Sequence, residues 1–199
     1  MMRRVGLALL LAAAAATTHA EAAGAPGVVV YGKPDGNVPG WAITTDLLPG
    51  WTKDCCTYAA AIGVNLVLYQ GEWTGKPDRV MVLNVWPVKL PTLDAELQDD
   101  RKHYVQLDPN GKVEAFPVAN PPSIACQGVM YHGSDHVDDV VVFCDPGKAT
   151  GIHYSWSMTV GAADPLRQSS IDAFKQVVEH SGYMHYVPTP ASKDKAVAH

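Results

Sequence analysis

The sequence predicts an α+β domain, a mixed, mainly antiparallel sheet packed by two main helices at about 92–107 and 165–181. Three observations carry that expectation. Ile152, Tyr154, Trp156, Met158 and Val160 alternate with His153, Ser155, Ser157 and Thr159, the period-2 pattern of a half-exposed antiparallel strand. The near-continuous apolar run at 80–85 suggests a strand covered on both faces. Thr92, and later Asp164 with Pro165, are helix-start signals ahead of apolar residues at helical spacing.

The elements follow in chain order. A short apolar run at 28–31 gives way to a Gly-, Pro- and Asp-containing loop and returns at Trp41, Ala42 and Ile43. Leu48, Pro49, Gly50 and Trp51 read as a turn. Residues 64–69 and 80–86 are two strands, with the loop 71–78 between them. The helix capped by Thr92 carries Asp94 and Glu96 in its first turn, where carboxylates meet the helix dipole favourably, and stops at Asp108, Pro109, Asn110 and Gly111. Leu93, Leu97, Tyr104 and Leu107 can share its apolar face, with Asp99, Asp100, Arg101 and Lys102 opposite, so it lies on a surface. A short strand at 112–116 leads into a hairpin whose arms are 126–131 and 140–144, joined by a polar loop at 132–138. The last helix presents Leu166, Phe174, Val177 and Val178 on one side and ends at Gly182; residues 187–199 read as a disordered tail.

The chain has 199 residues, enough for one ordinary domain at 23–186. Ahead of it, Arg3 and Arg4, the apolar run at 5–16 and small residues match a signal peptide over 1–22, cleaved after Ala20 or, with small residues at both recognition positions, after Ala22. Removing Arg3, Arg4 and Glu21 leaves 13 basic and 19 acidic side chains, about −6. No basic stripe is present to neutralise phosphates, which argues against nucleic acid, and no later segment is apolar enough for a membrane span. The expected location is periplasmic or secreted.

Export gives Cys55, Cys56, Cys126 and Cys144 the reading of disulfide cysteines. In a hairpin centred on Asp135, residue 126 lies opposite 144, and opposed strand positions bring Cα atoms to about 4.5–5.5 Å, within bridging range. That register favours Cys126 with Cys144, against a crossed pairing that uses Cys55 or Cys56. Cys55 and Cys56 would then form a vicinal bridge or remain thiols.

The Pro49-Gly50-Trp51 turn, the strand from Val80 to Trp86 followed by Pro87, and the closing-helix stretch Ile171-Asp172-Ala173-Phe174 resemble the PsbP family of extrinsic photosystem proteins over roughly 48–186. The resemblance implies a PsbP-like sandwich and a tendency toward binding rather than catalysis, and nothing about photosynthesis. The adjacent cysteines and the histidine-bearing hairpin depart from the family's pattern.

His132, Asp135 and His136 are weak candidates for metal ligands, but an H-x-x-x-H pair aligns its imidazoles on a helix, and this stretch reads as a solvated, mobile turn. The chain has no G-x-S-x-G, H-E-x-x-H or G-x-x-x-x-G-K-[ST] motif, so no catalytic residue and no cofactor is assigned. Trp41, Trp51 and Trp73, beside loops and strand ends, are candidates for a recognition surface. The expected function is that of an exported soluble binding or accessory protein of a bacterial-type cell envelope, its partner an envelope protein or a small ligand. The alternative is an exported enzyme with a polar site near the 132–139 hairpin and the 153–159 strand face. The sequence assigns no oligomeric state. Secreted material should begin near Ala23 by intact mass; a product retaining residues 1–20 would refute the leader.

Overall fold

The computed structural model describes residues 27–73 and 77–188; the expected leader and nearly all of the expected tail lie outside them. The strands are β1 (Val28–Gly32), β2 (Trp41–Thr45), β3 (Thr52–Asp54), β4 (Leu66–Gln70), β5 (Arg79–Pro87), β6 (Lys112–Phe116), β7 (Ala125–His132), β8 (Val137–Asp145), β9 (Ile152–Gly161) and β10 (Gly182–His185). The helices are α1 (Tyr58–Ala61), α2 (Leu93–Leu107) and α3 (Arg167–Glu179). A seven-stranded sheet runs β3-β4-β5-β9-β8-β7-β6, and a three-stranded sheet runs β1-β2-β10. Every pairing between these strands is antiparallel. No helix among the described residues is long and apolar enough to cross a membrane.

β9 lies at the centre because its two neighbours, β5 and β8, complete its hydrogen bonding on both edges. Its even-numbered side chains face inward, and Trp156 and Tyr154 are fully buried. They pack against Ile171, Phe174, Val177 and Val178 of α3 and Val28, Val30 and Ile43 of the small sheet, in one continuous core. Each fully buried side chain of this size contributes about 1.5–3 kcal/mol by its removal from water. On the opposite face, α2 covers Val129, Tyr131 and Phe143 through Leu93, Leu97 and Tyr104, while Ala59 of α1 covers Val67 and Tyr69. The result is a sandwich with α2 and α1 outside, the large sheet in the middle, and α3 and the small sheet inside.

Local chemistry accounts for most boundaries. Thr92 caps α2 by accepting the Ala95 N–H. Asp108 ends it by accepting the backbone N–H groups of Asn110 and Gly111. The 48–51 turn closes through Trp51 N–H to Leu48 O, with Gly50 at φ +78°, a position that favours glycine.

Five expectations need correction. α3 begins at Arg167, because Asp164 accepts the Leu166 N–H with its side chain and the Arg167 N–H with its carbonyl, making 164–167 a turn. It ends at Glu179, and Gly182 opens β10, which pairs with β2 across a contact no local pattern announces. The hairpin arms extend to His132 and from Val137, leaving a four-residue turn held by Gly133 N–H to Val137 O and by Ser134 N–H to Asp108 Oδ2. The polar face of β9 is open over only half its length: His153 and Ser155 are buried, Ser157 is half-buried and Thr159 exposed. Leu107, expected on the core face of α2, is 74% exposed because the last turn of that helix stands at the rim of the sheet.

Trp156→Ala should lower unfolding free energy by about 3–5 kcal/mol. Ser157→Ala should stay within about 0.5 kcal/mol. Urea unfolding of the two variants checks the ordering; equal losses would contradict it.

Candidate binding cleft on the outer sheet face

α2 and α1 cover the two flanks of the outer sheet face and leave a strip of β9, β8 and β5 uncovered between them. Its floor consists of Ser157 and Thr159 from β9, Val141 and Asp139 from β8, and Val80 and Val82 from β5. Asp100, His103, Tyr104 and Leu107 of α2 form one wall, and Pro77, Asp78 and Arg79 the other. Two depressions of about 220 Å³ each meet at Ser157 and Thr159. A third, of about 410 Å³, adjoins them at Asp100 and His103 and adds Glu96, Asp99, Lys102 and Phe143.

The wall is built by the fit of α2 on β7. Tyr104 stacks on Tyr131 with centroids 4.2 Å apart, and the Tyr131 hydroxyl donates to Asp100 Oδ2 at 2.5 Å. Burial pushes the Asp100 carboxyl above its ordinary range, partly offset by that hydrogen bond. Burial and the adjacent carboxylate also push the Tyr131 hydroxyl well up, so it remains a donor at any physiological pH. On the floor, Thr159 Oγ1 donates to Asp139 Oδ1 at 2.6 Å. Carboxylates therefore outnumber cations along the cleft, and hydroxyls with aromatic edges supply further contacts.

Two histidine clusters lie outside the cleft floor. His153, 2% exposed, faces Glu96 Oε1 through Nδ1 at 3.0 Å, and Trp86 Nε1 donates to the same oxygen at 3.3 Å. His153 Nε2 is 3.9 Å from Asp145 Oδ2. His132 lies between Glu114 Oε1, 2.9 Å from Nε2, and Asp138 Oδ1, 3.0 Å from Nδ1. Arg167 of α3 donates to the other oxygen of Asp138 through Nε at 3.2 Å and Nη2 at 2.5 Å. With an acceptor at each ring nitrogen, the favoured state of His132 is the imidazolium. Its hydrogen bond to Glu114, despite partial desolvation and helped by Asp138, raises its pKa. Burial works against the ionised form of Asp138, but Arg167 and His132 outweigh it and hold that carboxyl low.

The sequence-proposed residues are dispersed. His132 belongs to a strand and an ion cluster, Asp138 beside it is buried, and His136 and Asp135 sit on the exposed turn, where Asp135 Oδ1 accepts the Val137 N–H. The turn is thus ordered by its own hydrogen bonds. Among the described residues no group of three or more His, Cys, Asp or Glu side chains is placed to hold a metal ion. Trp51 is buried in the main core and Trp41 half-buried against it, while Trp73 stacks on Tyr58 at 4.7 Å. Trp41 and Trp51 thus belong to the main core, and Trp73 packs with the α1 cluster. Cys126 stands opposite Cys144 with Cα atoms 4.2 Å apart, and Cys55 and Cys56 are 3.7 Å apart; in both pairs the sulfurs are at bonding distance. Sequence reasoning did not bring Asp100 and Tyr131 together, because 31 residues separate them.

His132 should stabilise the fold fully below its unfolded pKa of about 6.5, an advantage lost as pH rises through its raised folded pKa. Asp138, with its folded pKa lowered, contributes above its unfolded value and loses that contribution as pH falls through the folded one. Denaturant unfolding of the wild type and His132→Gln across pH 5–9 should show a difference that shrinks as pH rises; a difference independent of pH would refute the imidazolium assignment.

No family model matches the chain, and no curated protein matches it. Among solved structures, the chain is similar in fold to the solution structure of cyanobacterial PsbP (CyanoP) from Synechocystis sp. PCC 6803, with a TM-score of 0.46 and 10% sequence identity over 83% of this chain and 98% of that one.

Proposed function

We propose that this chain is an exported, non-catalytic binding protein of a bacterial-type envelope, and that its outer-face cleft takes a small polar ligand bearing positive charge. The uncovered strip between α1 and α2 carries this reading, since a sheet face flanked by two packed helices is a preformed concave site. Glu96, Asp99, Asp100 and Asp139 supply the negative field, and Ser157 and Thr159 supply hydroxyl contacts. The leader-like start and two cysteine pairs at bonding distance support an oxidising, extracytoplasmic location.

The alternative, an exported enzyme, draws on the buried His153 beside Glu96. Against it, every hydrogen-bonded histidine side chain among the described residues faces a carboxylate, and none meets a hydroxyl or thiol that it could activate. The geometry therefore favours binding over nucleophilic catalysis.

Spermidine is a suitable cationic probe. Titrated into isotope-labelled mature protein, it should shift amide resonances of Asp100, His103, Ser157 and Thr159 together, and Asp100→Asn should weaken binding about tenfold, equivalent to about 1.4 kcal/mol. Binding should also weaken as pH falls and the raised-pKa Asp100 carboxyl takes up a proton. Shifts confined to other surfaces, or no saturable binding, would overturn this assignment.

A further inference from the structure

The geometry points to Cys55 and Cys56 as a thiol–disulfide exchange site that accepts two electrons from a dithiol donor while the fold stays intact. Both residues are exposed, in the turn between β3 and α1. The other pair is differently placed: Cys144 is fully buried between β7 and β9, and Cys126 is half-buried against the main core. A donor thiolate must reach a sulfur directly, so access selects Cys55–Cys56, and exposed bridges are the labile ones. A bridge between neighbouring residues also closes almost no chain and constrains the unfolded state little. Cys126 and Cys144 are 18 residues apart, and their link constrains much more.

The surroundings keep the turn in place whichever state the sulfurs are in. Asp54 Oδ1 accepts the backbone N–H groups of Cys56 at 3.1 Å, Tyr58 at 2.7 Å and Ala59 at 2.9 Å, and the Thr57 N–H also reaches the same carboxylate. Ala59 is fully buried against β4, and Tyr58 stacks on Trp73. None of these contacts uses sulfur, so reduction leaves two adjacent thiols on an anchored turn, ready to close again. The Asp54 carboxylate beside them disfavours a thiolate. Lys53, the nearest cation in sequence, is engaged with Gly27 O at 2.7 Å. The thiolate expelled on reduction therefore gains no local stabilisation and takes up a proton, and it is access that makes this pair the one that accepts electrons.

In the exchange, a donor thiolate attacks Sγ of one cysteine, forms a mixed disulfide and expels the other as a thiolate that takes up a proton. The donor's second thiol then displaces the first cysteine, which is protonated in turn. Cys55 and Cys56 end as thiols and the donor as a disulfide, with two electrons and two protons transferred.

The test is graded dithiothreitol on the native mature protein, followed by iodoacetamide labelling and peptide mapping. Cys55 and Cys56 should label together at a dithiothreitol concentration at least about tenfold below that needed for Cys126 and Cys144, with near-unchanged far-ultraviolet circular dichroism and loss of labelling after reoxidation. The double variant Cys55→Ser, Cys56→Ser should lose the low-concentration event alone. Labelling of Cys55 and Cys56 before any reductant is added, simultaneous labelling of all four cysteines, earlier labelling of Cys126 and Cys144, or no labelling of the exposed pair would each overturn the assignment.

Discussion

Trp156 lies fully buried on β9 beside Tyr154 and Met158, in a strand hydrogen-bonded on both edges. That central apolar row must be covered, and α3 with the small sheet covers it. Because β1, β2 and β10 join the core through Val28 and Val30, Ile43, and the partly buried Tyr183, the N-terminal and C-terminal strands of the domain are held by the same requirement. Residues far apart in the chain are thereby committed to one apolar layer, and the outer face is free to vary.

That outer face is covered unevenly, and the unevenness is what makes a site. α2 reaches far enough over β7 and β8 to bury Phe143 and Tyr131 but stops short of the far end of β9, where Ser157 and Thr159 remain accessible. Glu96 of its first turn closes over His153, so that buried imidazole has a carboxylate partner. Asp100, one turn further along, is held by Tyr131 at the edge of the open strip. One helix thus seals one end of a strand face and lines the cleft at the other.

Charge also couples the layers. Asp138, on β8 and 3% exposed, takes Arg167 from α3 on one oxygen and His132 from β7 on the other. A buried carboxylate without those partners would carry a large desolvation cost, so the three residues act as a unit. The unit ties the start of α3 to the sheet at the hairpin end, where the second carboxylate oxygen of Asp108, Oδ2, accepts the Ser134 N–H.

Much of this fold was legible from local pattern. The period-2 alternation of residues 152–160, the cap at Thr92 with its stop at Asp108, and the hairpin register that sets 126 opposite 144 are properties of neighbouring residues, and β9, α2 and the β7–β8 pairing follow them. β10 was not legible, since Gly182, Tyr183, Met184 and His185 carry no alternation and are a strand only because β2 presents an open edge. The same holds for the cleft. Alternation says that His153, Ser155, Ser157 and Thr159 share a face, but not that the first two will be buried and the last two left accessible. The sequence by itself determined the apolar row of β9, the bounds of α2 and the β7–β8 register, because those depend on apolar periodicity and local hydrogen bonding. Only the tertiary structure decided which polar residues meet, because the Asp100–Tyr131 and Glu96–His153 contacts depend on where α2 comes to rest on the sheet, and that is set by side-chain packing across segments remote in sequence.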